Sequence, residues 1–159
     1  MVIVMLGVLA MFAAPRMFNS ADFYARGFHD ETLSMLRYAQ KAAIAQRRMV
    51  CVTFDVTSTP STAALTLEDP TPTSSPMPDV SCTVNLAGPK GDSPATVTAK
   101  SGTGFSAIKT GTSDVTQLIF SGLGQPVSPA RLALADNTTV EITGAASITV
   151  EAMTGYVHD

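Results

Sequence analysis

RGFHDETLSMLRYAQKAAIAQRRMVCVTF, residues 26–54, changes its hydrophobic period once, and the fold follows from where it changes. From Phe28 to Met49, the apolar positions Phe28, Leu33, Met35, Leu36, Ala39, Ala42, Ala43 and Ile44 recur at three- and four-residue spacings, the stripe of an amphipathic helix. Asp30 and Glu31 are expected in its first turn and Arg47-Arg48 in its last, signs that complement the helix dipole at both ends. From Met49 the period becomes two, the alternation of a strand.

Downstream, the same alternation returns in short runs rich in Val, Thr and Ile: 49–54, 63–68, 80–86, 95–100, 103–108, 116–120, 131–134, 138–143 and 147–152. They are separated by turn residues, among them Gly88-Pro89, Gly91-Asp92, Gly122, Gly124, Asp136-Asn137 and Gly144. Such punctuation predicts antiparallel sheets, and the fold class is α+β: a long N-terminal helix, then an antiparallel β-sheet or β-sandwich head over 49–159. The Pro-rich stretch Ser58–Asp79 is expected to be an exposed loop except where Ala63–Glu68 pairs into the sheet.

Upstream of the quoted stretch, Met1–Ala14 carries no charged or polar side chain, and the run stops at Pro15-Arg16. Fourteen helical residues reach about 21 Å, whereas a bilayer core is about 30 Å thick, so the segment is too short to span alone. It is either the apolar part of an export signal or the remnant of a longer anchor. The first cation is Arg16, behind the run, and Pro15 follows Ala13-Ala14, which disfavours a conventional cleaved signal. The expected organisation is an apolar membrane helix over 1–18, truncated at its start and kinked near Pro15, then an amphipathic helical segment over 19–48 packing on the head. RMFNSADFYARG (16–27) lacks a clean period and predicts an interruption near Gly27.

Composition narrows the function. The chain of 159 residues is 45% hydrophobic and 14% charged, enough for one sizeable core. Met1–Val50 carries six Lys and Arg against three Asp and Glu, and Cys51–Asp159 carries four against ten. An acidic head disfavours nucleic acid as a partner, although Lys90, Lys100 and Lys109 could form a local basic patch. No catalytic constellation emerges, and neither an enzymatic role nor a cofactor is expected. His29 and His158 lack any metal-ligand spacing and are expected to be solvated; no serine sits in a G-x-S-x-G elbow; SGTG and SGLG lack the lysine of a phosphate loop. GPKGDSP reads as a turn, and Asn137-Thr138-Thr139 is formally a glycosylation sequon. Cys51 and Cys82 are too few for a metal site and, given an export feature, point to a disulfide, the alternative being two buried thiols.

The run VIVMLGVLAMFAAP, with Gly7 eight residues before Pro15, resembles the interior of the N-terminal segment of type IV pilins and type II secretion pseudopilins. The junction RGFHDETLSMLRYAQKAAIAQRRMVCV (Arg26–Val52) resembles minor subunits of the GspH/FimT type, most nearly those of pili of the mannose-sensitive-haemagglutinin (MSHA) class. QLIFSGLGQPV (Gln117–Val127) and SITVEAMTGYVH (Ser147–His158) resemble that group's late strands and closing Thr-Gly turn. The resemblance implies a structural subunit that primes, caps or enters a filament, with the segment containing Met1, Gly7, Ala14 and Pro15 lying first in the membrane and then in the filament core. It implies a single pass through a bacterial inner membrane with a periplasmic head. The implied partners are other major and minor pilins or pseudopilins, the inner-membrane assembly platform, and lipid before assembly. It also implies about seven further residues upstream, with a methylated Phe and a Glu, which bring the apolar segment to the roughly 20 residues a span needs. The other functions it allows are a pseudopilin of a secretion machine and a tip subunit that binds a ligand or DNA.

Overall fold

The computed structural model describes residues 20–69, 74, 76–100 and 102–159. Helix α1 occupies Ser20–Gln46, 27 residues or about 40 Å at 1.5 Å per residue. Its buried positions Ala25, Phe28, His29, Thr32, Met35, Leu36, Ala39, Ala42 and Ala43 form one stripe. The helix runs unbroken through Gly27, against the expected interruption, because Ala25, Phe28 and His29 bury on both sides of the glycine in phase with the stripe. Asp30 and Glu31 therefore lie in mid-helix rather than in a first turn. The expected kink at Pro15 and the segment 1–18 lie outside the described residues.

The helix ends one residue before the arginine pair. Arg47 takes a left-handed conformation (φ 50°); its N–H donates to the Ile44 carbonyl at 3.3 Å, and the Arg48 N–H donates to the Ala43 carbonyl at 3.3 Å. This is the Schellman closure, which supplies donors to the last free helix carbonyls and turns the chain into the sheet.

Eleven strands follow among the described residues: β1 (Val50–Asp55), β2 (Thr62–Glu68), β3 (Cys82–Asn85), β4 (Thr96–Thr98), β5 (Phe105–Thr110), β6 (Ser113–Asp114), β7 (Gln117–Phe120), β8 (Pro126–Val127), β9 (Thr138–Ile142), β10 (Ile148–Val150) and β11 (Val157–His158). They make two sheets. The first has the order β3-β2-β1-β7-β8, with β4 also on β2; the second has the order β11-β10-β9-β5-β6. Every pairing is antiparallel. The fold is thus α+β, one helix followed by antiparallel sheets. The expected strand over 131–134 is not one: Ala133 makes a single bridge to Val127, and Arg131 sits at φ 64°, which breaks an extended run.

Helix and sheets share one core. Phe28 of α1 and Phe54 of β1 both meet Phe105 of β5, at ring-centroid distances of 4.8 and 5.2 Å, so one aromatic cluster joins the helix to both sheets. In β1, Val50, Val52 and Phe54 face this core, while Cys51 points the other way. There, with Ile119 and Val127, it fills a smaller cluster that Met49, Val80 and Cys82 partly cover. Central β1 is consequently buried on both faces over its first three residues.

Candidate functional site

Four side chains on α1 tie the helix to loops of both sheets and to strand β11. Arg37 donates from Nε and Nη2 to the Val157 carbonyl at 3.1 and 3.0 Å. The Tyr38 hydroxyl donates to the Ala87 carbonyl at 2.7 Å, and Lys90 reaches back to Glu31 at 2.9 Å. Gln40 Nε2 donates to the Gly124 carbonyl at 3.2 Å and the Thr154 carbonyl at 3.1 Å, which clips together the turns after β7 and β10.

Glycine makes that clip possible. At Gly122 an added Cβ would lie 2.9 Å from the Arg47 backbone carbon, and at Gly124 (φ 84°) it would lie 2.7 Å from Ile44 Cδ1. At Gly155 (φ 68°) it would strike the Gly124 carbonyl oxygen. Gln125 Nε2 adds a bond to the Met153 carbonyl at 2.8 Å. Two turns far apart in sequence are thereby pressed against each other and onto the second half of α1.

A second constellation lies at the far end of β2. Cys51 and Cys82 form a disulfide with Cα atoms 6.1 Å apart, within the usual range of about 4.4–6.8 Å. Close by in the chain, the buried carboxylate of Glu68 takes both guanidinium Nη atoms of Arg131, whose Nε donates to the Pro78 carbonyl at 3.1 Å. Arg48 Nη2 donates to the Glu68 carbonyl. The arginine after the helix therefore braces the sheet rather than standing free for a ligand. Nothing in the sequence singled out Glu68 or Arg131, because 63 residues separate them.

The other residues singled out in the sequence do not converge. Lys109 pairs with Glu141 at 3.1 Å, Lys90 with Glu31, and Lys100 lies 5.6 Å over the Tyr24 ring, so each lysine has its own partner and no joint basic patch forms. His29 is buried rather than solvated, with Nδ1 3.2 Å from Asp30 Oδ1, because it falls on the inner stripe of the helix. His158 stacks on Tyr156 at 5.3 Å and faces Glu151 at 3.4 Å. Asn137 Oδ1 accepts the Ala152 N–H at 2.9 Å and holds the turn after β10. Asp55 Oδ1 accepts the backbone N–H groups of Ser58 and Thr57 and the Thr57 hydroxyl, and these bonds, that from Ser58 first, lower its pKa to about 2. Hydrogen bonding to Glu31 raises the pKa of Lys90.

Among the described residues, no group of three or more His, Cys, Asp and Glu is placed to hold a metal ion, and no helix is long and apolar enough to cross a membrane. Met1, Gly7, Ala14 and Pro15 lie outside the described residues.

The chain is similar to the type IV minor pilin FimU of Pseudomonas aeruginosa strain PAO1, at 15% sequence identity and a TM-score of 0.48, over 92% of this chain and 90% of that one. No protein-family model and no curated protein matches the sequence.

Proposed function

We propose that the chain is a pilin-type structural subunit: a minor pilin of the GspH/FimT type, most like the MSHA class, or the corresponding pseudopilin of a secretion machine. It is anchored in the inner membrane through Met1–Phe18 and acts by docking to other subunits, not by catalysis. The observation that carries this reading is the union of α1 with the head. One face of the helix is sewn into the core of both sheets through Phe28, Leu36, Ala39 and Ala43, and the residues leading into it include the uncharged run Met1–Ala14.

Such a helix is an adapter. An apolar segment in lipid has no better aqueous destination than the core of a bundle made by its neighbours, so leaving the membrane and entering a filament are coupled. Any pull on the segment passes into α1. It then reaches the head through buried packing and the bonds of Arg37, Tyr38 and Gln40.

Deleting the gene and restoring it with either the full chain or a chain lacking Met1–Phe18 tests the reading. The full chain is expected to restore filament assembly or secretion and to fractionate with inner membrane or filaments; the anchorless chain is expected to do neither. Restoration by the anchorless chain would overturn the proposal in favour of an independent activity of the head.

A further inference from the structure

The two clipped turns present an apolar surface that the fold itself leaves uncovered. Leu123 is 82% exposed, Met153 73% and Tyr156 59%, three of the five most exposed large apolar side chains among the described residues. They are held near one another because Gln40 bonds both turns and Gln125 bonds the Met153 carbonyl. Ile44, half-exposed beside Gly124, continues the surface onto the helix. Isolated exposed apolar residues need no explanation, but a cluster on a rigid, glycine-dependent support marks an interaction surface.

The charge around it selects the partner. No Asp or Glu occurs from Thr32 to Phe54, while Arg37, Lys41 and Arg47 are exposed along and just beyond the same half of α1. None of the three is ion-paired among the described residues; Arg37 bonds only a carbonyl. The nearest carboxylate on the C-terminal turn, Glu151, faces His158. On the helix side the rim is therefore basic beside an apolar centre, an arrangement found in protein interfaces, and it complements a surface rich in carboxylates. The head of this chain is such a surface, with ten Asp and Glu to four Lys and Arg after Val50.

We infer that the surface formed by Leu123, Met153, Tyr156 and Ile44, rimmed by Arg37, Lys41 and Arg47, docks the acidic head of a neighbouring pilin-type subunit. The contact is heterologous, basic patch to acidic flank, and such contacts propagate into open assemblies when they do not close on themselves. The inference rests on the pilin reading of the chain and specifies which part of the head meets the next subunit.

A photo-reactive amino acid placed at Leu123 or Tyr156 of the full chain in cells tests it, with the same group at Val84 on β3, at the opposite edge of the first sheet, as control. The expected result is an adduct from 123 and 156 with another pilin-type subunit, mapped by mass spectrometry to an Asp- and Glu-rich segment of its head, and none from 84. Lys41→Glu is expected to lower the adduct from 156 several-fold, and Leu123→Glu to lower it roughly tenfold, with circular dichroism unchanged. Adducts with lipid only, with a protein of another kind, or with no partner while the chain sits in membrane or filament fractions overturn the docking surface and leave the pilin reading standing. Absence of the chain from both fractions overturns the two together.

Discussion

Arg131→Ala should be the most damaging single substitution outside the hydrophobic core. The Glu68 side chain is 5% exposed and that of Arg131 14%, and both carboxylate oxygens of Glu68 face the guanidinium. Removing the cation leaves a buried carboxylate without its partner, a change that costs about 3–5 kcal/mol. The lost bond from Nε to the Pro78 carbonyl adds about 1 kcal/mol. Arg131 also holds a left-handed backbone, φ 64°, which costs an L-residue roughly 1–2 kcal/mol and a glycine almost nothing. Arg131→Gly should therefore be less destabilising than Arg131→Ala by about 1 kcal/mol, although it removes the same side chain. Replacing both partners, Glu68→Leu with Arg131→Met, should recover most of the loss, because no charge then stays buried. Denaturant unfolding of the full chain and the three variants, compared by midpoint at constant slope, measures all of this. If Arg131→Ala costs less than about 1 kcal/mol, the pair behaves as a surface ion pair, and the reasoning from burial is wrong.

Three further outcomes are expected. Reducing the disulfide between Cys51 and Cys82, which are 31 residues apart, should lower stability by about 3–4 kcal/mol in the chain-entropy model, read as the difference in unfolding midpoint with and without reductant. Gly155→Ala should cost about 2–4 kcal/mol, because it adds left-handed strain to a collision with the Gly124 carbonyl; thermal unfolding checks it, and a shift below about 2 °C would show that the two turns are not pressed together. The Asp55 carboxyl, observed by NMR, should titrate near pH 2. Since its folded pKa is depressed, its contribution to stability is complete above the ordinary carboxylate range and is lost as pH falls through about 2; Asp55→Ala should remove that acid-side dependence, and titration near 4 would refute the turn geometry.

What could be read in the sequence was whatever repeats locally. The stripe from Phe28 to Met49 placed the helix, and the change of period at Met49 placed β1 to within a residue, because each pattern spans several turns or alternations. β6, β8 and β11 escaped because two residues cannot display a period. RLAL at 131–134 displayed one and misled, since Leu132 points to solvent and Arg131 turns the chain. Gly27 looked like a break only because the stripe's earlier members, Ala25 and the start of α1, lie in a segment without a clean local period. The constellations were harder still. Glu68 with Arg131, and Gln40 with Gly124 and Thr154, depend on separations of 63, 84 and 114 residues, and no local rule connects them.

The two constellations both adjoin the C-terminal end of α1, one through Arg48 and the other through Gln40 and Ile44, and they do opposite work. At the far end of β2, the loop that begins after Glu68 has exposed residues and many prolines, a composition that alone would leave it loose. It is fastened where it returns: Pro78 accepts from Arg131, the Val80 N–H donates to the Pro129 carbonyl at 2.8 Å, and Cys82 is bonded to Cys51. These restraints cover the small cluster of Ile119 and Val127, so they close a core. Around Gln40 the same care is spent differently. Gln40 and three glycines hold two turns rigidly, yet Leu123, Met153 and Tyr156 on those turns are turned outward. Holding a turn in place costs conformational entropy whether or not its side chains are buried. Around the disulfide that cost is offset by burial within the chain; around Gln40 the side chains of Leu123, Met153 and Tyr156 remain in water, and the proposed docking of a neighbouring subunit would cover them.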